Sequence, residues 1–216
     1  MGLLDTLLPP ACAGCGRFGI LLCDACRAAF RPPSDPRDRF VAADAGTVIG
    51  EEVILAVAAF AYDGPLRKVL QRMKYASAAR VAAALGTAAL PALRRLLAIT
   101  GPATLVPVPL HPVRERERGF NQAALLADAL SRGASVPARP LLVRGRATTR
   151  QHELDRAARV RNLAGAFRVA GDAEPPPVVI VVDDILTTSA TMEVCAGALR
   201  QAGCERTYGF AIAREV

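Results

Sequence analysis

A chain of 216 residues can bury one good core and a small appendage, but hardly two full domains. Its composition, 52% apolar and 22% charged, is globular and excludes a disordered or fibrous chain. The formal charge of +7 leans toward anionic partners, nucleic acid or phosphorylated metabolites, because many cations concentrate anions nearby. Nearly all of that positive charge is arginine; Lys68 and Lys74 are the only lysines.

The opening residues, MGLLDTLLPP, have no basic start, are interrupted by Asp5 and end in paired prolines, which argues against a signal peptide. No apolar run approaches the ~20 residues of a bilayer span, so the expected location is cytoplasmic. Four of the six cysteines follow in CAGCGRFGILLCDAC, as Cys12, Cys15, Cys23 and Cys26. Two C-x-x-C pairs seven residues apart, with glycines at the first, suit tetrahedral zinc. Four thiolates fill the coordination shell, so such a metal would hold a compact knuckle together and do no catalysis. The alternative is a pair of disulfides, which a reducing compartment disfavours. Cys195 and Cys204 have no paired spacing, and Cys195 shares helical intervals with Met192, Ala196 and Leu199 and reads as core.

The proline-rich, charged RPPSDPRDRF marks a boundary, giving a zinc module over 1–32, a linker over 33–48 and a main domain over 49–216. VILAVAAFAY then reads as a strand. PLRKVLQRMKY follows as a helix started by Pro65, with Leu66, Val69, Leu70 and Met73 on one apolar stripe. An alanine-rich helix covers about 80–98, TLVPVPL is a short strand ending at His111, and GFNQAALLADALSRG is a helix closed by Gly133. PLLVRG and AFRVAG read as strands on either side of the polar TTRQHELDRAARVRNL, which resists assignment. PPPVVIVVDD is a strand, TSATMEVCAGALRQAG a helix ended by Gly203, and TYGFAIA a last strand. The alternation predicts an α/β fold, a mostly parallel sheet flanked by helices on both faces, with ligands beyond the carboxyl ends of the strands.

VVIVVDDILTTSAT, residues 178–191, falls at that edge. Val178 to Val182 form a buried strand, Asp183 and Asp184 emerge at its end, and the chain must then turn into a helix. A helix start offers unpaired N–H groups and partial positive charge to a phosphate, and Thr187, Thr188, Ser189 and Thr191 add hydroxyl donors. Two carboxylates would repel that phosphate, so they call for ribose hydroxyls or a magnesium ion. The alternative is an ordinary Ser/Thr cap beside two aspartates, which explains one hydroxyl residue and leaves the others unexplained.

VIVVDDILTTSAT, Val179 to Thr191, resembles the fingerprint of type I phosphoribosyltransferases, in which an acidic pair precedes a T-T-G-x-T loop that holds phosphoribosyl pyrophosphate (PRPP). Ser189 stands where glycine is usual, and glycine permits backbone conformations that serine resists. The resemblance widens to the ComF family. The four-cysteine start, YDGPLRKVLQRMKY, VPVPLHPVRERERGFNQA, RATTRQHELDRAARVRNLAGAF and the acidic loop occur in that family's order over nearly the whole chain.

The resemblance implies a small zinc module followed by a type I phosphoribosyltransferase-like domain. It also implies a link to bringing single-stranded DNA into the cytoplasm beside an ATP-driven translocase. By position, Asp183 and Asp184 would meet ribose hydroxyls and Mg2+, while Thr187, Thr188, Ser189, Ala190 and Thr191 would hold the 5′-phosphate. Lys74 would contact pyrophosphate, or be a solvated helix end. Arg144, Arg146, Arg150 and Gln151 fall where these enzymes have a mobile loop, and Arg150 joins the two aspartates as a catalytic candidate. The alternating RERER reads as solvated surface with ion pairs. Arg118, Gly119, Asn121 and Gln122 stand apart from it, because the resemblance falls on them. His111 and His152 are isolated and suggest neither a metal site nor a catalytic base.

Three functions compete. One is transfer of phosphoribose from PRPP to an acceptor that the sequence does not identify. Glutamine-dependent amide transfer is disfavoured, since Cys12 belongs to the zinc set. The second is a nonenzymatic module that binds single-stranded DNA and a translocase, for which the low aromatic content offers little base stacking. The third is a PRPP sensor without chemistry.

Overall fold

A computed structural model describes residues 9–33, 51–73, 78–145, 165–171, 173–187 and 189–215. A short helix, α1 (Asp24–Ala28), follows the cysteine turns. Then come β1 (Ala56–Ala61), α2 (Gly64–Arg72), α3 (Ala78–Thr100), β2 (Thr104–Pro107), α4 (Pro112–Arg118) and α5 (Gln122–Ala134). The chain continues with β3 (Leu142–Arg144), β4 (Phe167–Val169), β5 (Val178–Leu186), α6 (Ala190–Gln201) and β6 (Arg206–Arg214).

The main sheet has the order β1-β6-β5-β2 with every pair parallel, flanked by helices as the α/β pattern predicts. Alternation along β5 divides the interior: Val178, Ile180 and Val182 face the side covered by α3 and α5, while Val179 and Val181 face α6. β6 keeps the same phase, with Tyr208, Phe210 and Ile212 on the first side and Ala211 on the second. Strands buried on both faces need apolar residues at every position, which is why VVIVV and FAIA are continuous runs.

Three features depart from the sequence reading. PLLVRG and AFRVAG do not join the parallel sheet; β3 and β4 pair antiparallel with each other, Val143 opposite Arg168. The helix expected to close at Gly133 runs through it and stops at Ser135, in the left-handed region at φ 56°. Gly133 instead makes room for Leu90 of α3, whose methyls lie 3.2 Å from where a Cβ would stand. Finally, α3 is 23 residues long with a mean hydropathy of 1.4 in its most apolar stretch, which reaches the length and apolarity of a membrane span. Its apolarity has another use, since Val81, Leu85, Ala89, Leu93 and Leu96 are buried in the core against the sheet and α5.

The cysteine turns belong to the same interior. Cys12, Cys23, Cys26 and Phe30 join one apolar cluster with Leu66 and Val69 of α2 and with Met73, its C-cap, and Phe30 packs on Phe60 of β1 at 5.2 Å. Ala61 N–H donates to Arg31 O at 2.9 Å, and Arg72 Nη1 donates to Cys12 O at 2.9 Å. Asp63, the N-cap residue of α2, uses its carboxylate on Arg31 and not on the helix.

Candidate functional site

The described residues contain two groupings of chemically capable side chains. In the first, the Sγ atoms of Cys12, Cys15, Cys23 and Cys26 all lie within 4.8 Å of one another. Cys23 Sγ is 3.7 Å from Cys12 Sγ and 3.7 Å from Cys15 Sγ. A tetrahedron with metal–sulfur bonds of ~2.3 Å has edges of about 3.8 Å, so the cluster has the dimensions of a four-thiolate metal site. Cys12, Cys23 and Cys26 are buried and Cys15 is exposed. Gly14 lets the turn close, since a Cβ there would stand 2.7 Å from Cys26 Sγ. Burial raises the Cys12 thiol, but backbone N–H groups of Cys23, Cys15 and Gly14 outweigh it and bring its pKa down to about 6. Burial and the three other sulfurs push Cys26 up to about 12. A metal ion such as zinc would supply the positive charge that four crowded thiolates require.

The second grouping arises from unequal strand lengths. β2 ends at Pro107, opposite Val182, and Val108 N–H makes a further bond to Val182 O at 2.9 Å. β5 nevertheless continues to Leu186, held by β6 through Asp183↔Ala211 and Leu186↔Arg214. Asp183 and Asp184 therefore lie within the strand and not after it, at a stretch where one neighbour has left the sheet. The result is a cleft of about 260 Å³ at the carboxyl edge, floored by both aspartates and walled by α4, the start of α5 and Arg144 of β3.

Strand alternation puts Asp183, opposite Ala211 of β6, in phase with Val181 on the α6 side, where it faces Cys195. Burial pushes the Asp183 carboxyl well above its ordinary value of 3.8, and the charge of Asp184 adds to the rise. Asp184 N–H, donating to Asp183 Oδ1 at 2.8 Å, and the charge of Arg144 act the other way. Arg144 lies over the Phe167 ring, 5.2 Å from its centre. Burial, then the neighbouring Arg114, disfavour its charged form.

Past Leu186, Thr187 is exposed, Ser189 is the N-cap of α6, Ala190 is buried in the first turn and Thr191 lines the cleft. Ser189 has φ 64°, the left-handed region where glycine is at ease, so the loop keeps the glycine conformation with serine in it. Its side chain makes no cap bond to α6, so the ordinary-cap alternative does not describe it. Holding a side chain in that region costs about 1 kcal/mol. We expect Ser189→Gly to raise the melting temperature by roughly 2–4 °C, measured by calorimetry, with α6 unchanged by circular dichroism. Thr188, Lys74, Arg146, Arg150, Gln151 and His152 lie outside the described residues.

The RGFNQ run is a corner between two helices. Gly119 ends α4 at φ 79°, a left-handed stop that allows the immediate reversal into α5. Asn121 caps α5, its Oδ1 accepting from Ala123 N–H at 3.0 Å, and its Nδ2 donates to Val108 O at 2.9 Å. One amide thus ties the corner to the point where β2 leaves the sheet. Arg118 Nη1 donates to Gln122 Oε1, and both line the cleft. Arg114 lines it too, which the reading of RERER as solvated surface missed. The available signal was the i, i+4 spacing of Arg114 and Arg118, which places them on one helical face. His111 caps α4, Nδ1 accepting from Val113 N–H at 3.3 Å, which accounts for it without a metal.

No protein-family model matches the chain. Competence protein F of Haemophilus influenzae is 33% identical over 159 residues, covering 71% of this chain and 69% of that protein. The chain belongs to the ComF family. A second relative of this ComF-family protein is DNA utilization protein YhgH of Escherichia coli, 33% identical over 157 residues with the same coverage, 71% and 69%. The Salmonella typhi protein of that name is 30% identical over 158 residues, again 71% and 69%.

Proposed function

We propose that the cleft binds PRPP or a related phosphoribosyl ligand with Mg2+, in a protein associated with natural competence and uptake of single-stranded DNA. The observation that carries this reading is the joining, in one cleft, of an acidic pair to a helix start and a wall of arginines. Asp183 and Asp184 would receive the ribose hydroxyls and the Mg2+ ion. Thr187, Thr188, Ser189, Ala190 and Thr191 would hold the 5′-phosphate at the start of α6, with Lys74 as a further contact. Burial and then Arg114 disfavour the charged form of Arg144, and an anion bound in the cleft would offset that.

In the enzymatic form of this reading, pyrophosphate leaves the anomeric carbon with the bonding pair as an acceptor nucleophile attaches there. Mg2+, when bound, supplies charge to the leaving oxygens. The chain's own part is to fix the sugar with Asp183 and Asp184 and to place guanidiniums, Arg150 among them, where negative charge develops. Glutamine-dependent transfer forms no part of it, because Cys12 is committed to the four-sulfur cluster, for which we propose structural zinc. The names competence protein F and DNA utilization protein support the DNA-uptake association. A translocase of the competence machinery is the partner the family reading implies, in the cytoplasm.

Calorimetric titration with PRPP and Mg2+ tests the site. Heat of binding is expected, and its absence overturns both the transferase and the PRPP-sensor forms. Release of pyrophosphate in the presence of amines or nucleobases separates those two. If the arginine wall instead serves a DNA backbone, affinity for single-stranded oligonucleotides falls steeply with salt and PRPP gives no heat.

A further inference from the structure

Gln122 is the most enclosed polar side chain of the cleft. It is 4% exposed, the first residue of α5, and it lines the cleft together with Asp183 and Asp184. A buried amide satisfies both of its ends with protein, water or a ligand. One end is settled: Arg118 Nη1 reaches it, and because a guanidinium only donates, the atom it meets must be Oε1. The amide therefore cannot flip, and its NH2 is held on the opposite side. Among the described residues Nε2 has no hydrogen-bond partner, although Gln122 borders the cleft.

The corner around it is built to keep this orientation. Asn121 pins the turn to Val108 O and caps α5, and Gly119 lets Arg118 fold back over the helix start. We propose that Gln122 is a ligand-contacting donor: with Oε1 locked by Arg118, its NH2 gives a hydrogen bond to an acceptor oxygen of the bound phosphoribosyl group. This rests on the reading of the cleft as a PRPP site. It adds a residue whose role differs from that of the arginines, since a neutral donor of fixed direction selects for an oxygen at one position. A guanidinium attracts any anion nearby.

The alternative is that Gln122 only positions Arg118, and a charge substitution separates the two. Gln122→Glu keeps the oxygen that Arg118 needs and strengthens that bond, but replaces NH2 by a second oxygen that repels an acceptor. Calorimetric titration of PRPP with Mg2+ into wild type, Gln122→Ala and Gln122→Glu decides, with melting curves confirming that each variant is folded. Loss of a hydrogen bond to a charged group weakens binding roughly tenfold to a hundredfold, so Gln122→Ala should fall in that range and Gln122→Glu at least as far. Wild-type affinity in Gln122→Glu overturns the donor role, and wild-type affinity in Gln122→Ala overturns any role. If wild type itself gives no heat, the PRPP reading fails and the donor role with it; heat in wild type with unaffected variants removes Gln122 alone.

Discussion

Asp183→Asn combined with Asp184→Asn is expected to abolish calorimetric binding of PRPP with Mg2+, while Asp183→Asn alone makes the protein more stable at neutral pH. The first effect follows from chemistry that an amide cannot supply. Asparagine cannot neutralise a divalent cation, and two lost charge-assisted contacts weaken binding about a hundredfold or more.

The second effect follows from the raised pKa of Asp183. Burial, then Asp184, hold the folded-state carboxyl above its ordinary value of 3.8. Between those two values the folded chain keeps a proton that the unfolded chain has released, so stability falls as pH rises through that window. Asparagine has no proton to lose. The melting-temperature gain of Asp183→Asn should therefore be largest at neutral pH, shrink as pH falls and be lost below the ordinary value of 3.8. A gain that does not vary with pH would show that the carboxylate is not under this strain. Residual PRPP binding in the double variant would remove the acidic pair from the site.

Cys23→Ser is expected to reduce bound metal from about one ion per chain to near zero and to lower the melting temperature by on the order of 10 °C. Cys23 Sγ is 3.7 Å from two of the other sulfurs, so its loss opens the centre of the cluster. The damage should spread beyond the turns, because Cys12, Cys23, Cys26 and Phe30 share an apolar cluster with Leu66, Val69 and Met73. Metal analysis with calorimetry checks both parts, and chelation of the wild-type protein should reproduce the variant. Acid should also release the metal, since protons compete for thiolates. Cys204→Ser serves as the control, because Cys204 lies outside the cluster and donates to Pro177 O at 3.5 Å. Unchanged metal content in Cys23→Ser would overturn the four-sulfur site.

Much of this arrangement is legible in residue order. VVIVV followed by DD reports a doubly buried strand running to a ligand edge, because alternate valines must face two separate apolar layers while the aspartates cannot. The paired C-x-x-C turns report their own clustering, since local spacing alone brings the sulfurs together. Less legible is anything set by partners distant in sequence. Nothing in PLLVRG or AFRVAG says that they prefer each other to the main sheet, a choice made by packing over a long connection. Arg114 reads as surface until the departure of β2 shows that α4 overhangs the aspartates. The continuation of β5 past Val182 was hidden as well, because aspartate is a poor strand residue and only pairing with β6 keeps it extended. Ser189 shows the reverse case, where a departure visible in sequence leaves the backbone conformation intact.

Pro107 of VPVPL carries one more consequence. β2 is the outer strand of the sheet, and Leu105 N–H points away from β5, bonding Pro137 O at 2.9 Å. Val108 N–H points the other way, to Val182 O. By that alternation the nitrogen of Pro107 falls on the outward side, where it carries no hydrogen to offer. The chain's own Pro137 and Arg139 already pair with Leu105 along this border, so together with the missing donor of Pro107 they leave little of β2 for a stray strand to extend.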